Sequence, residues 1–326
     1  MSLAAQFQKL AGAKCLVSGG AGFIGSHLVD ALLEIGAEVK VLDNLETGSL
    51  ENLQGVQDQV TFLEGDLRNL DDCQKAAQGT QFVFHQAALG SVPRSVAQPA
   101  TSLDVNVAGT ANLLQAARDQ GVKRFVYASS SSVYGDSEKL PKYEGQEGKL
   151  LSPYALSKHM NEELAELFSR TTSLNCVGLR YFNIYGPRQS PNGPYAAVIP
   201  LFFASCAAGK APIILGDGSQ SRDFTYVADA VRSNLLAAVC TLDDDESLVC
   251  NVGAGGRTLI RNLASVISTV VTKGLPPSYQ PARPGDVMHS LADATRAQQH
   301  LGFQAEIDLE EGISRTWKWM LSNSNS

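Results

Sequence analysis

The 326-residue sequence has no excess of basic residues: 26 Lys and Arg stand against 33 Asp and Glu, a net charge of −7. An acidic chain lacks the basic footprint that a nucleic-acid backbone requires, so DNA and RNA are not expected partners. A nucleotide ligand stays open, because a few placed donors hold two phosphates. Cysteine is scarce as well. The six, at positions 15, 73, 176, 206, 240 and 250, show no C-x-x-C spacing and read as free thiols of a reducing compartment. Four of them stand in apolar runs, as small core residues do. No apolar run approaches the length of a membrane span, and residues 1–14 lack a hydrophobic leader core. A cytoplasmic protein with no membrane partner is expected. The five histidines, His27, His85, His159, His289 and His300, form no ligand-spaced cluster. Chance placement is the simpler reading, and no metal is expected. Repeats and low-complexity stretches are also lacking.

What is present is alternation. Short apolar runs rich in β-branched and aromatic residues occur at Cys15–Val17, Val39–Leu42, Val60–Leu63, Phe82–Phe84 and Phe125–Tyr127. Such runs suit strands buried on both faces. Between the first two, Ile24, Leu28, Ala31, Leu32 and Ile35 recur at helical spacing and end at Gly36, a good C-cap. Strand–helix–strand alternation predicts an α/β fold, a doubly wound parallel sheet covered by helices on both sides. From about Gly186 the character changes, with Gly and Pro frequent and periodic segments shorter. The reading is a first domain over 1–185 and a smaller mixed α/β domain over 186–326, with later segments able to return to the first.

Gly19, Gly22 and Gly25 follow the first strand and open the first helix. Glycine lets the turn tighten and the backbone approach a pyrophosphate, which the helix N-terminus then faces with free N–H groups. Asp43 ends the second strand 18 residues after Gly25. A carboxylate there accepts from a ribose diol and repels a 2′-phosphate, which favours NAD over NADP. A plain turn residue in Asp43-Asn44 is the alternative. Tyr154 and Lys158 form Y-x-x-x-K, and on a helix i and i+4 share a face. A neighbouring lysine cation, the positive charge of an oxidised nicotinamide and the helix dipole all favour a phenolate, so Tyr154 is expected to act as a base at a depressed pKa. Pro153 suits the first helical position. The run Ser129-Ser130-Ser131-Ser132-Val133-Tyr134-Gly135 stands at the end of the fifth strand, the sheet edge where ligands bind. Any one of these serines is equally a solvated loop residue.

These motifs, followed in order by Leu179–Arg188 (LRYFNIYGPR) and Arg222-Asp223-Phe224, resemble the extended short-chain dehydrogenases/reductases that modify nucleotide sugars. The resemblance spans nearly the whole chain. It is nearest to UDP-hexose 4-epimerases, and among them to bacterial UDP-N-acetylglucosamine 4-epimerases. It implies a Rossmann domain with NAD and a C-terminal domain for the nucleotide sugar. It implies Ser130 as the catalytic serine, four residues before Tyr134, beside Tyr154 and Lys158. For NAD it implies the glycines with Phe23 and Ile24, Asp43 with Asn44, Asp66-Leu67 at the adenine, Gln86-Ala87-Ala88 along the pyrophosphate, Asn106 as an orienting helix residue, and Tyr181 beside the nicotinamide. For the substrate it implies Ser130, Ser131, Ser132, Asn183, Val198, Arg222, Arg283, Asp286 and Ser290. Gly90 departs from several galactose epimerases, which carry a Lys there. Relatives form homodimers through the helix that carries the Tyr, where Leu156, Met160, Leu164 and Leu167 are spaced helically, although core packing explains that spacing equally well.

The reaction follows from two residues. Dehydratases carry Asp and Glu directly after the catalytic Ser or Thr, and sugar-acid decarboxylases carry a Glu in place of Ser132. Elimination needs such an acid–base pair. Ser131 and Ser132 supply neither, which leaves hydride return to the opposite face, a 4-epimerisation with NAD recycled. A small Ser290, where galactose-restricted enzymes carry Tyr, leaves room for a 2-acetamido group, though it reads equally as a packing residue. Other NAD-dependent reactions on UDP-glucose or UDP-glucuronate, a plain dehydrogenase, and a non-catalytic NAD sensor stand as alternatives.

Overall fold

The computed structural model describes residues 6–191, 196–242, 246–271, 275–282 and 288–323. Seven strands form one sheet: β1 (Lys14–Ser18), β2 (Glu38–Asp43), β3 (Val60–Glu64), β4 (Phe82–His85), β5 (Arg124–Ser130), β6 (Cys176–Tyr181) and β7 (Ser247–Val252). Their order is β7-β6-β5-β4-β1-β2-β3, and every neighbouring pair is parallel. The order reverses between β1 and β4, and a crevice opens there at the carboxyl ends of the strands.

The first five strands form where the apolar runs stand, four of them longer by a residue or two and β5 by four; β6 and β7 lie beyond those runs. Helix α1 (Phe23–Ile35) buries Leu28, Leu32 and Ile35 against the sheet. Each such side chain contributes roughly 1.5–3 kcal/mol. Gly36 ends the helix in the left-handed region at φ 88°, its N–H shared between the Leu32 and Leu33 carbonyls. Helices α2 (Leu70–Ala77) and α3 (Gly109–Asp119) cover the other face with α4 (Pro153–Thr172), around Leu113, Leu114, Phe125 and Cys176.

The chain crosses back over residue 185. After α5 (Val198–Ala207), α6 (Val227–Val239) packs on α1, β5 and β6, and β7 pairs with β6 from Ser247↔Cys176 to Val252↔Tyr181. Three excursions build the smaller lobe: 184–226, 258–282 and 309–320. They meet around Phe202, Phe203, Ile267 and Ile313, with Phe203 stacked on Trp317 at 5.6 Å. Five cysteines are buried, Cys240 is half-buried, and all six are free thiols.

Candidate active site

A cavity of about 520 Å³ lies along the carboxyl edge of the sheet over the β1/β4 reversal. Its first wall is the glycine loop. Gly19 has φ 72°, and a Cβ there meets the Ala87 amide nitrogen at 2.6 Å; a Cβ on Gly25 runs into the Gly19 carbonyl oxygen. The loop therefore fits only without side chains, and it leaves the N-terminus of α1 open to the cavity. Gly22 caps α1 without a side-chain acceptor, so the first N–H groups stay available to an anion. At the end of β2, Asp43 accepts from the Ala21 and Leu45 amides, both at 2.9 Å. Burial raises its pKa, and these two hydrogen bonds oppose the rise. Farther along, Asn44 donates to Asp66 at 3.1 Å, and Arg68 grips Asp66 through two nitrogens at 2.6 and 2.9 Å. The Arg68 hydrogen bonds hold that carboxyl well below its ordinary range. A side-chain-free cradle, a helix N-terminus and an oriented carboxylate fit a dinucleotide.

The second wall carries the chemistry. Ser152 caps α4, accepting from the Ala155 amide at 3.1 Å, and Pro153 takes the first position. Tyr154 thus sits in the first turn and Lys158 one turn on. The Tyr154 phenol is hydrogen-bonded to Ser130 at the end of β5. Lys158 Nζ donates to the Ala128 carbonyl at 2.8 Å and lies 5.9 Å from the centre of the Tyr154 ring. Burial pulls Lys158 down to about 8, and the Glu162 carboxylate opposes it. The expected depressed phenol is not what the protein produces by itself. Burial raises Tyr154, and the Ser130 hydrogen bond offsets only part of that. The Lys158 ammonium faces the phenol as a charge over its ring.

Gly19, Gly22, Phe23, Ile24, Gly25, Asp43, Asn44, Asp66, Leu67, Gln86, Ala87, Ala88, Ser130, Ser131, Tyr154, Lys158, Tyr181 and Asn183 all line this cavity. Asn106 stands behind that lining. It lies in a π-helical turn (Asp104–Ala108), 1% exposed, where Leu89 and Ser157 use its whole amide. It braces the wall from behind. Ser132 is also absent from the lining, and its amide donates to the Ser130 Oγ at 3.2 Å.

A second cavity, about 270 Å³, shares Asn183, Ile184 and Gln189 with the first. Val198 and Arg222 line it with Phe202, Ile213, Leu215 and Phe224. Arg222 also donates to the Ser221 carbonyl at 3.0 Å. Ser290 lines neither cavity. It is 8% exposed, and its amide donates to the Ser221 carbonyl at 3.0 Å, behind the Arg222 strand. Arg283 and Asp286 lie outside the described residues.

Two features escaped the sequence. Asn234 on α6 donates to the Tyr181 hydroxyl at 2.7 Å and accepts from Gln86 at 2.9 Å, while Tyr181 donates to Gln86 at 3.1 Å. This closed triangle fixes the cavity floor, and burial raises the Tyr181 phenol to about 12. Asn234 follows Arg232 and Ser233 in Val227–Val239, and nothing in that stretch singles it out. His85 is no chance residue either. Its Nε2 meets Thr110 at 2.9 Å, and the Thr110 hydroxyl is donated to the Asn106 carbonyl. Nε2 must therefore carry the proton, and Nδ1 accepts from Ser18 at 2.7 Å. Burial drives His85 down to about 3, so it stays neutral. Among the described residues, no group of three or more His, Cys, Asp or Glu side chains could hold a metal.

The model of the NAD dependent epimerase/dehydratase family matches residues 15–253. A putative UDP-glucose 4-epimerase from Methanocaldococcus jannaschii is 39% identical over 313 residues, covering 95% of this chain and 99% of that protein. Among solved structures, a UDP-N-acetylglucosamine 4-epimerase from Methanobrevibacter ruminantium, in complex with UDP-N-acetylmuramic acid, superposes with a TM-score of 0.91. It is 38% identical and covers 96% of this chain and 99% of its own. A Thermus thermophilus UDP-glucose 4-epimerase complex with NAD gives a TM-score of 0.86 at 36% identity, over 95% and 99% of the two chains. No helix among the described residues is long and apolar enough to cross a membrane. With the motifs, the sheet order and the site all in agreement, this chain belongs to the NAD-dependent epimerase/dehydratase family, as an enzyme that uses NAD.

Proposed function

We propose that this protein interconverts UDP-N-acetylglucosamine and UDP-N-acetylgalactosamine by 4-epimerisation through a transient 4-keto sugar. One observation carries the reading. Ser130, Tyr154 and Lys158 meet at one cavity wall, while the two positions after Ser130 hold serines rather than an acid–base pair. Tyr154 takes the proton from the sugar O4 and later gives it back. Ser130 holds the same oxygen, and Lys158 contributes positive charge beneath the phenol. NAD, when bound, accepts the hydride from C4 and returns it. Elimination across C5–C6 finds no acid in Ser131 or Ser132, so the ketone waits for hydride return.

Arg222 and Asn183 are assigned to the diphosphate. A guanidinium suits phosphate oxygens, and the apolar plates of the second cavity suit a flat base. Arg283 and Asp286 are assigned to the same end of the substrate. The acetamido preference rests on the likeness to the Methanobrevibacter enzyme. A homodimer is part of the proposal. Leu156, Met160 and Leu167 on α4 are 38%, 38% and 45% exposed, and Val96 on the neighbouring short helix is 62% exposed. Four large apolar side chains on one face call for a cover, and light scattering of the purified protein gives its mass directly. Leu164 turns inward instead and packs on the core.

The deciding test adds UDP-N-acetylglucosamine to the purified protein without NAD and separates the nucleotide sugars. Formation of UDP-N-acetylgalactosamine is expected. A 4-keto-6-deoxy product, or turnover only with stoichiometric NAD, overturns the reaction assignment. Conversion of UDP-glucose alone overturns the sugar assignment.

A further inference from the structure

Glu162 stands one turn beyond Lys158 and two beyond Tyr154 on α4, 6% exposed. Three elements converge on its carboxylate. From β5, the Ser129 hydroxyl donates to Oε1 at 2.5 Å. From β6, Arg180 donates through Nε to Oε1 at 2.9 Å and through a terminal nitrogen to Oε2 at 2.8 Å. Ser129 immediately precedes Ser130, and Arg180 immediately precedes Tyr181. Arg180 is further held by Glu147 and lies 5.0 Å over the Tyr134 ring.

Stability alone gives little reason for such a cluster, because a buried ion pair commonly does no better than apolar residues of the same volume. What the cluster does provide is geometry and charge. We infer that Glu162 is a positioning residue for the reaction proposed above: it sets the catalytic helix against the ends of β5 and β6 and supplies the counter-charge that faces Lys158. The inference rests on that reaction.

The groups around the pair fix the direction of the effect. Lys158 is faced by Tyr154 and Glu162 on its own helix and by His85 from β4. Glu162 is faced by Lys158, by Arg180 from β6, and by Tyr127 from β5, with Glu147 beyond Arg180. Removing the negative charge makes it easier for Lys158 to lose its proton and for Tyr154 to lose its own. Both limbs of the pH–rate profile then slide toward acid. A purely structural role lowers the profile without moving it.

The test uses Glu162→Gln together with the double variant Glu162→Gln/Arg180→Gln, which removes both members of the buried ion pair if the single variant does not fold. kcat and KM are measured against pH, and tyrosinate absorbance of the NAD-loaded protein is titrated with Tyr154→Phe as the blank. We expect a shift of about one pH unit toward acid. It appears as an about tenfold loss of kcat on the alkaline side, with KM held within about twofold. Limbs that keep their positions, whatever the height of the profile, overturn the inference, as does a shift toward alkali. If the parent protein converts no UDP-sugar, the proposed reaction fails, and the tyrosinate titration still decides the role of Glu162.

Discussion

The two cavities share Asn183, Ile184 and Gln189, yet they are built in opposite ways. The larger one is made from strand ends of a single parallel sheet, each contributing a short contiguous motif: Gly19–Gly25 after β1, Asp43-Asn44 at β2, Gln86–Ala88 after β4 and Ser130 at β5. The smaller one is made from separate returns of the chain, with Val198 on a helix, Ile213 and Leu215 on a two-stranded pair, and Arg222 on another. A sheet edge fixes many residues at once through its register. A wall of separate excursions leaves each residue to its own local contacts. The first cavity is therefore expected to fail sharply when touched, and the second to change its affinity by degrees.

That contrast is open to attack at three strengths. Tyr154→Phe removes the proposed proton acceptor from the chemical wall and keeps the ring in place. kcat should fall by about 10³-fold, with NAD still retained and substrate affinity little altered; a variant with more than a tenth of the parental rate removes Tyr154 from the mechanism. Gly25→Ala drives a methyl group into the Gly19 carbonyl, part of the backbone that cradles the cofactor. NAD affinity should drop about 100-fold, near 3 kcal/mol, as read by cofactor content after gel filtration. Normal NAD content would show that the loop relaxes and that the sheet edge is less exacting than argued. Arg222→Ala acts on the other cavity. KM for the UDP-sugar should rise about 30-fold, the loss of roughly 2 kcal/mol of charge-assisted hydrogen bonding, while NAD content stays constant. A fall in NAD content instead would mean that the two cavities are coupled.

The same contrast decides what the sequence made legible. The first five strands, the Gly36 cap, the Tyr154–Lys158 face and the NAD cradle are local matters: spacing, chain order and a few residues with special backbone freedom. They were readable because the physics that sets them spans a dozen residues. The Asn234–Tyr181–Gln86 triangle joins positions up to 148 residues apart, and the Glu162–Arg180–Ser129 cluster joins three separate elements. Neither leaves a periodic trace, since its members stand on separate elements and nothing in the spacing of one points to another. The upward pull on the Tyr154 phenol in the protein without its cofactor is hidden in the sequence for a related reason. A helix dipole and a nearby lysine are visible in the sequence, but the burial that outweighs them is a property of the assembled walls.

Ser290 is where the comparison yields its smallest effect and its most informative one. The sequence placed it in the substrate pocket, and the structure sets it one layer back, against the strand that carries Arg222. A gate at the pocket surface would exclude the acetamido group by direct collision. A residue behind the wall can act only by moving Arg222 and Ser221, since at 8% exposure a tyrosine finds no free volume there. Ser290→Tyr should therefore lower turnover of UDP-N-acetylglucosamine and UDP-glucose alike, by about tenfold, near 1.4 kcal/mol. It should raise KM for both substrates as well, because the displaced Arg222 serves the diphosphate they share. A change in the sugar ratio with both KM values untouched would place the side chain in the pocket after all. Equal loss on both sugars would leave Ser290 a packing residue and send the search for the sugar determinant to Gln189 and Ile184, where the two cavities join.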